Sequence, residues 1–233
     1  MKPKLTLNNY IFIKLDPENT SIKLRTGGEL FVDTTYDVEK HATVTGEVFG
    51  MPSHLQYTGK PNVGMPWLTD MQIRIGDKVI VYYLSVLNAL KPQHKRFVLE
   101  GKDRYVFISY EFIYAVIRDG KVLPINGYCL LDPCEDPSIT QEKERMQKIG
   151  MELIVSPRRS NSHVSYAKVK YLGVANREYV EADHSDDGVD IAVDDVVVIR
   201  RTNDIPLQYN LHAKIDDGAR YLRCQRRNIM AKV

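Results

Sequence analysis

The chain has 233 residues, 43% of them hydrophobic and 27% charged, and a net charge of +2. That balance suits a globular protein with no strong pull toward nucleic acid or acidic lipid, and no apolar run nears the roughly 18 residues of a membrane span. The opening MKPKLTLNNY lacks the apolar core of a signal peptide and the Arg- and Ser-rich character of a transit peptide; three cysteines (Cys129, Cys134, Cys224) cannot all pair, so a reducing cytoplasm is expected.

In chain order, YIFIKL (10–15) is the first short β-branched and aromatic run, the pattern of a strand. A polar connection follows from about Asp16 to Ala42, longer than the 12–15 residues usual for a loop in a compact domain. Within it lies one apolar knot, RTGGELFVD (25–33), where Leu30, Phe31 and Val32 stand between Gly27-Gly28 and Asp33. TGEVFG (45–50), VIVYYLSV within IRIGDKVIVYYLSV, RYVFISY and FIYAVI read as further strands, and AVIRDGKVLPI reads as strand, Asp119-Gly120 turn, strand. A second first-strand pattern, INGYCLLDP, opens another long connection, from about Asp132 to Val164, which contains QEKERMQK and a second knot, IGMELIVSP (149–157). VKYLG, IAVDDVVVIRR and RYLRCQRRNIMAK complete the chain, and no long stretch carries helical periodicity.

The two halves repeat. Gly27 set on Gly150 gives an offset of 150 − 27 = 123, which also sets Gly50 on Gly173. Asp77 matches Asp195 at 195 − 77 = 118, and Arg104 matches Arg220 at 220 − 104 = 116. With LNNYIFIKLDP against INGYCLLDP, five blocks recur in one order, which predicts two homologous all-β domains, residues 1–119 and 120–233. Closed barrels are expected, because they leave few raw sheet edges. Each knot admits two readings: a short strand packing back on its own barrel, with glycine supplying the turn, or an exposed recognition tip.

The order of these pieces resembles the GroES co-chaperonin family, in tandem: a first strand, a mobile loop bearing Gly-Gly-Ile-Val-Leu, a Gly-Glu-Val-x-x-x-Gly strand, a roof hairpin, a Val-Gly-Asp-x-Val strand and a closing strand. The first copy offers TLNNYIFI, GGELFVDT, TGEVFGM, RIGDKVIV and DRYVFISYEFIYAV; the second offers LPINGYCLL, GMELIVSP, VKYLGVA, AVDDVVVI and ARYLRCQRRNIMAK. The second copy departs at Asp194, where the family has glycine, and both copies place glutamate where the family has isoleucine or valine. The resemblance implies two tandem GroES-like β-barrels, each with a long mobile loop and a roof hairpin. It implies a co-chaperonin that caps a GroEL-type chaperonin ring in a nucleotide-dependent manner and encloses unfolded substrate protein, working as a homo-oligomeric ring.

The contacts it implies are Glu29, Leu30, Phe31 and Val32 in the first loop and Glu152, Leu153, Ile154 and Val155 in the second, with Gly27, Gly28 and Gly150 as loop glycines. The docking tripeptide can also be shifted by one, to Leu30-Phe31-Val32 and Leu153-Ile154-Val155. Each buried apolar side chain contributes roughly 1.5–3 kcal/mol, whereas ordering a loop costs about 1–2 kcal/mol per residue, so one loop binds weakly and several bind together. In the family the last strand of one subunit lies beside the first strand of its ring neighbour, so the Asp119-Gly120 hairpin is either that contact made covalent or an ordinary linker.

No catalytic residue, cofactor or metal is expected. DHSDDGVD (183–190) lacks the flanking helices and closing glutamate of a calcium loop. Cys129 and Cys134 have no partners at zinc spacing, no Walker glycine loop is present, and the basic SPRRSNSH and RCQRRN are offset by acidic segments elsewhere. Zinc-dependent alcohol dehydrogenases share the barrel type but need a dinucleotide-binding half that this chain lacks. The alternative to the lid is a GroES-fold structural or assembly protein, a viral one included, that no longer binds a chaperonin.

Overall fold

A computed structural model describes residues 6, 8–17, 21–23, 29–31, 44–57, 65–150, 164–177, 191–200, 212–215 and 219–233. The chain divides into two compact units, Met1–Tyr128 with Gly173–Asp187 and Cys129–Leu172 with Gly188–Val233. The fold is mostly β, with two antiparallel main sheets and two short helices among the described residues.

The first unit contains β1 (Tyr10–Leu15), β2 (Ser21–Lys23), β3 (Glu29–Phe31), β4 (Thr45–Gly50), β5 (Lys78–Val81), helix α1 (Tyr83–Leu90), β6 (Phe97–Glu100), β7 (Asp103–Ser109), β8 (Ile113–Arg118) and β9 (Lys121–Pro124). Its seven-stranded sheet runs β6-β7-β1-β4-β5-β8-β9, while β2 and β3 form a separate pair. The second unit's strands are β10 (Tyr128–Cys134), β11 (Val164–Leu172), β12 (Val196–Arg200), β13 (His212–Ile215), β14 (Ala219–Gln225) and β15 (Ile229–Lys232), ordered β13-β14-β10-β11-β12-β15, with helix α2 (Pro137–Lys148) after β10.

The repeat read from the sequence reappears in the hydrogen-bond registers. The β1–β4 pairing slips between Phe12 and Ile13, and β10–β11 slips between Leu130 and Leu131, 130 − 12 = 118 residues on. The slip between Ile80 and Val81 against β8 recurs between Val198 and Ile199 against β15. Val48 exchanges backbone bonds with Gly76 and Asp77, as Val169 does with Asp194 and Asp195, and both valines are fully buried. Asp194 takes the left-handed conformation (φ +74°) that Gly76 takes at φ +90° in the first copy. Loss of the glycine therefore leaves the turn in place, because aspartate is among the few residues that tolerate that region.

Four expectations are corrected. Neither main sheet closes on itself among the described residues: both strand orders are linear, so the barrels expected from the sequence are open sheets here. Closure requires the two edge strands to meet at a fixed stagger, which side-chain alternation does not encode. VIVYYLSV is not one strand; β5 ends at Val81 and α1 begins at Tyr83, burying Val86 and Ala89 at i, i+3 spacing and stopping ahead of Pro92. Gly50 does not correspond to Gly173. Phe12 faces Gly50 and Leu130 faces Tyr171, so the offset there is 171 − 50 = 121. The QEKERMQK stretch, read as loop, belongs to α2, which no hydrophobic stripe announces because none of its residues is buried.

The Asp119-Gly120 turn forms as read, with φ +51° and +70° and Arg118 opposite Lys121. Strand β9, which follows it, pairs with β8 in the first unit's sheet rather than opening the second unit's. The second core gathers Cys129, Leu131, Ala167, Val169, Val197, Ile199, Leu222, Cys224 and Ile229. Cys129 and Cys224 are buried there and form no disulfide, and Cys134 is exposed.

Candidate functional site

The first long connection carries its own secondary structure. Glu29–Phe31 forms a strand whose partner is Ser21–Lys23, with Phe31 opposite Ser21, Leu30 opposite Ile22 and Glu29 opposite Lys23. This described part of the tip thus pairs within the loop, in a two-stranded sheet separate from the seven-stranded one. A pair of three-residue strands is marginal by itself in water, so its pairing is weak and local. Gly27, Gly28 and Val32 lie outside the described residues.

The second connection is built differently. Asp136 caps α2 by accepting from the Ser138 amide at 2.9 Å, and Pro137 stands in the first turn, where no amide bond is lost. The Ser138 hydroxyl, and after it the Ser138 amide, hold the Asp136 carboxyl below the usual carboxylate range. The helix ends where Gly150 turns left-handed at φ +74° and its amide bonds the Gln147 carbonyl. Gly150, expected as a loop glycine, ends this helix, and Ile149 beside it is 64% exposed. Glu152, Leu153, Ile154 and Val155 lie outside the described residues, as do residues 183–190. The two connections share a position between first and second sheet strands; among the described residues the first carries a strand pair and the second a helix.

A second set of polar residues, which the sequence marks as repeated but gives no role, organises the strand ends. Asp77 is 9% exposed and accepts from Arg118 Nη2 at 2.6 Å, Arg118 Nε at 3.0 Å and the Arg74 amide at 2.7 Å. Burial pushes its carboxyl up, but the bond from Arg118, the Arg74 amide and both guanidinium charges outweigh this and hold it below the usual range. Asp195 repeats the arrangement with the Ala192 amide at 2.6 Å and Lys232 Nζ at 2.8 Å, at a more exposed position. The recurring aspartate at the start of each VIV-like strand was the available signal.

Ahead of each first strand sits a left-handed pair, Asn8-Asn9 (φ +55°, +59°) and Asn126-Gly127 (φ +58°, +71°). Asn9 bonds the Gln56 backbone twice, Nδ2 to the carbonyl at 2.9 Å and Oδ1 from the amide at 2.7 Å. In the second pair the side chain is missing at Gly127, and Asn176 fills the space: a Cβ on Gly127 would lie 2.4 Å from its Nδ2, which donates to the Asn126 carbonyl at 3.2 Å. Asn126 Nδ2 donates to the carbonyls of Tyr110 (2.8 Å) and Ile113 (3.0 Å), pinning the 3-10 turn Tyr110–Phe112. Two adjacent asparagines before a strand, matched by Asn-Gly 118 residues later, were the signal that could have found this pair.

A cleft of about 120 Å³ beside α1, lined by Tyr82, Ser85, Asn88, Arg96, Phe107 and Phe112, falls below the roughly 300 Å³ of a typical small-molecule pocket. Among the described residues no three His, Cys, Asp or Glu side chains gather as metal ligands, and no helix is long and apolar enough to cross a membrane. No protein-family model and no curated protein matches this chain.

Proposed function

We propose that this chain is a tandem co-chaperonin: two GroES-like domains whose apolar loop tips cap a GroEL-type chaperonin ring when ATP has opened it, enclosing substrate protein for folding in the cytoplasm. Copies of the chain gather in a ring, so that several weak tips act together. The chain supplies no catalytic group and binds no nucleotide; ATP acts on the partner.

The observation that carries this reading is the recurrence, in both copies, of an oversized connection between the first two sheet strands, each with an apolar tip. In the first copy Glu29–Phe31 pairs, among the described residues, with Ser21–Lys23 in a sheet separate from the main one. The edge strands of the seven-stranded sheet are β6 and β9, and the knot adds to neither. A tip lightly ordered as a hairpin also loses less entropy on docking than a fully unstructured one.

The test is capture of a purified GroEL-type ring on immobilised chain, with and without ATP, for the native protein and for the double variants Leu30→Ala/Phe31→Ala and Leu153→Ala/Ile154→Ala. Removing two apolar anchors per loop is expected to weaken ATP-dependent capture by at least about tenfold for either variant. Capture that ignores nucleotide, or that survives all four substitutions, contradicts the reading.

A further inference from the structure

The two units leave matching strands at one edge of their sheets and finish them differently. Among the described residues β6 and β13 each end their strand order, paired only with the strand that follows. Leu99 faces Arg104 on β7 as Lys214 faces Arg220 on β14, and Phe97 faces Val106 as His212 faces Leu222. The second unit thus sets histidine and lysine where the first sets phenylalanine and leucine. Lysine commonly guards a free edge, because its charge rejects an added strand. On β6 the positions are apolar instead: Val98 is 45% exposed and Leu99, on the opposite face, 60% exposed.

This edge has a defined length and a defined parity. Its bonded span runs from Arg96, whose carbonyl accepts from the Phe107 amide at 2.9 Å, to Glu100 opposite Asp103. Left-handed residues bound it, Lys95 at φ +49° and Gly101 at φ +61°, so the span is centred on Val98. An antiparallel ladder alternates its bonding direction. With the Arg96 carbonyl bonded to β7, the backbone groups of Val98 and Glu100 also turn toward β7, and those of Phe97 and Leu99 turn outward. An added antiparallel strand must set its own outward residues against these two. For a second copy of β6 that leaves three registers: Phe97 on Phe97, Leu99 on Leu99, or Phe97 on Leu99. Only the third uses the whole span.

We propose that β6 pairs with β6 of a second copy, antiparallel about a twofold axis at Val98, joining the two seven-stranded sheets edge to edge. Val98 then meets its own counterpart, while Phe97 meets Leu99 and Arg96 meets Glu100, each of these on both sides of the axis. Aromatic-aliphatic and opposite-charge pairs are the favourable kinds across strands. Arg96 shares a face with Val98 and Glu100, and its guanidinium lies over the Tyr10 ring on that face, 5.2 Å from the centroid. In the other two registers Arg96 or Glu100 would face Val98 and the ion pairs would be lost. The same pairing on β13 would set Lys214 against His212, so the first unit's edge alone complements itself. So short a span buries less than the roughly 1,200 Å² of a stable specific interface, which makes the contact reversible and dependent on concentration. It is isologous and closes at two copies. The inference goes beyond the lid reading and does not rest on it, because the loop tips take no part.

The test is sedimentation velocity over a concentration series for the native full-length chain, Leu99→Lys, Arg96→Glu and Glu100→Arg, with the last two also mixed in equal amounts. The native chain is expected to self-associate. Leu99→Lys, which gives β6 the lysine of β13, should weaken association at least about tenfold, because the twofold axis applies the loss twice. Arg96→Glu and Glu100→Arg each set like charges opposite one another and should each associate about tenfold more weakly. Their mixture should recover association to within about threefold of native, since each variant supplies the charge that the other lacks. All three residues are exposed, and a retained cooperative Trp67 transition on urea titration shows that each variant is folded. A native chain that stays monomeric overturns the proposal. So do variants that associate as tightly as native, or a mixture that associates no more tightly than its components.

Discussion

Replacing Asp77 with alanine should destabilise the first unit far more than the same change at Asp195 destabilises the second. Asp77 is nearly buried and accepts three hydrogen bonds, two of them from one guanidinium at 2.6 and 3.0 Å. Removing it leaves the Arg74 amide without its acceptor and Arg118 facing the empty site, with a quarter of its own side chain still in contact with water. A charge-assisted bond contributes about 1.5–3 kcal/mol and the exposed part of Arg118 recovers some hydration, so the expected loss is about 2–3 kcal/mol. Asp195 stands in more water, and its substitution should register only weakly. Trp67, the single tryptophan of the chain, is buried in the first unit edge-on to Tyr128 at 6.2 Å, so its fluorescence follows that unit's unfolding. With a urea slope of about 2 kcal/mol/M, Asp77→Ala should lower the Trp67 midpoint by roughly 1–1.5 M, and Asp195→Ala should barely move the second unit's own midpoint, followed by hydrogen exchange of the β12 amides over the same urea series. Equal shifts for the two variants, or no shift for Asp77→Ala, would refute the reasoning that burial and the bidentate guanidinium set the cost.

The same carboxylate predicts a pH dependence. Its folded-state affinity for protons is lowered, so its stabilisation is fully present above the ordinary carboxylate pKa of about 3.9 and disappears as the pH falls through the folded value. The native Trp67 midpoint should therefore fall on acidification below about pH 4 more steeply than that of Asp77→Ala; parallel profiles would remove Asp77 from the account. Gly46→Ala should cost about 1–3 kcal/mol, because a Cβ there meets the Lys14 carbonyl at 2.5 Å and Ile13 Cγ2 at 2.6 Å in the neighbouring strand. Its counterpart in the second unit is already alanine, Ala167, opposite Pro133 where the first unit has Leu15 opposite Gly46. An unchanged urea midpoint for Gly46→Ala would show that β1 yields at no cost.

What the sequence revealed followed from features that act locally. Asp119-Gly120 specifies its turn through two positive φ angles, and the aspartates at 77 and 195 specify theirs through a side-chain bond to an amide three residues back, so both survive as recognisable residues. Strand position along the chain was legible for the same reason, as a property of short β-branched runs. The two-residue misplacement of Gly50 came from trusting a shared glycine over burial: Val48 and Val169, both inside and both bonded to the aspartate turn, mark the true correspondence. Helix α1 escaped notice because eight residues give barely two turns in which to see a period. Helix α2 escaped because it buries nothing, although Asp136-Pro137 at its start was a readable capping signal. The edge that distinguishes β8 from β15 was not legible at all, since it depends on which strand lies alongside. The tips at 29–32 and 152–155 were visible as apolar residues in polar loops, but a sequence does not say what such residues face.

Hydrogen exchange of the full chain, alone and with a GroEL-type ring in the presence and absence of ATP, tests the central claim most directly. The account predicts that amides in residues 25–33 and 149–157 exchange fast in the free chain and become protected only when ring and ATP are both present, with the main-sheet strands unchanged. Exchange in both segments that is indifferent to the ring and its nucleotide would contradict it.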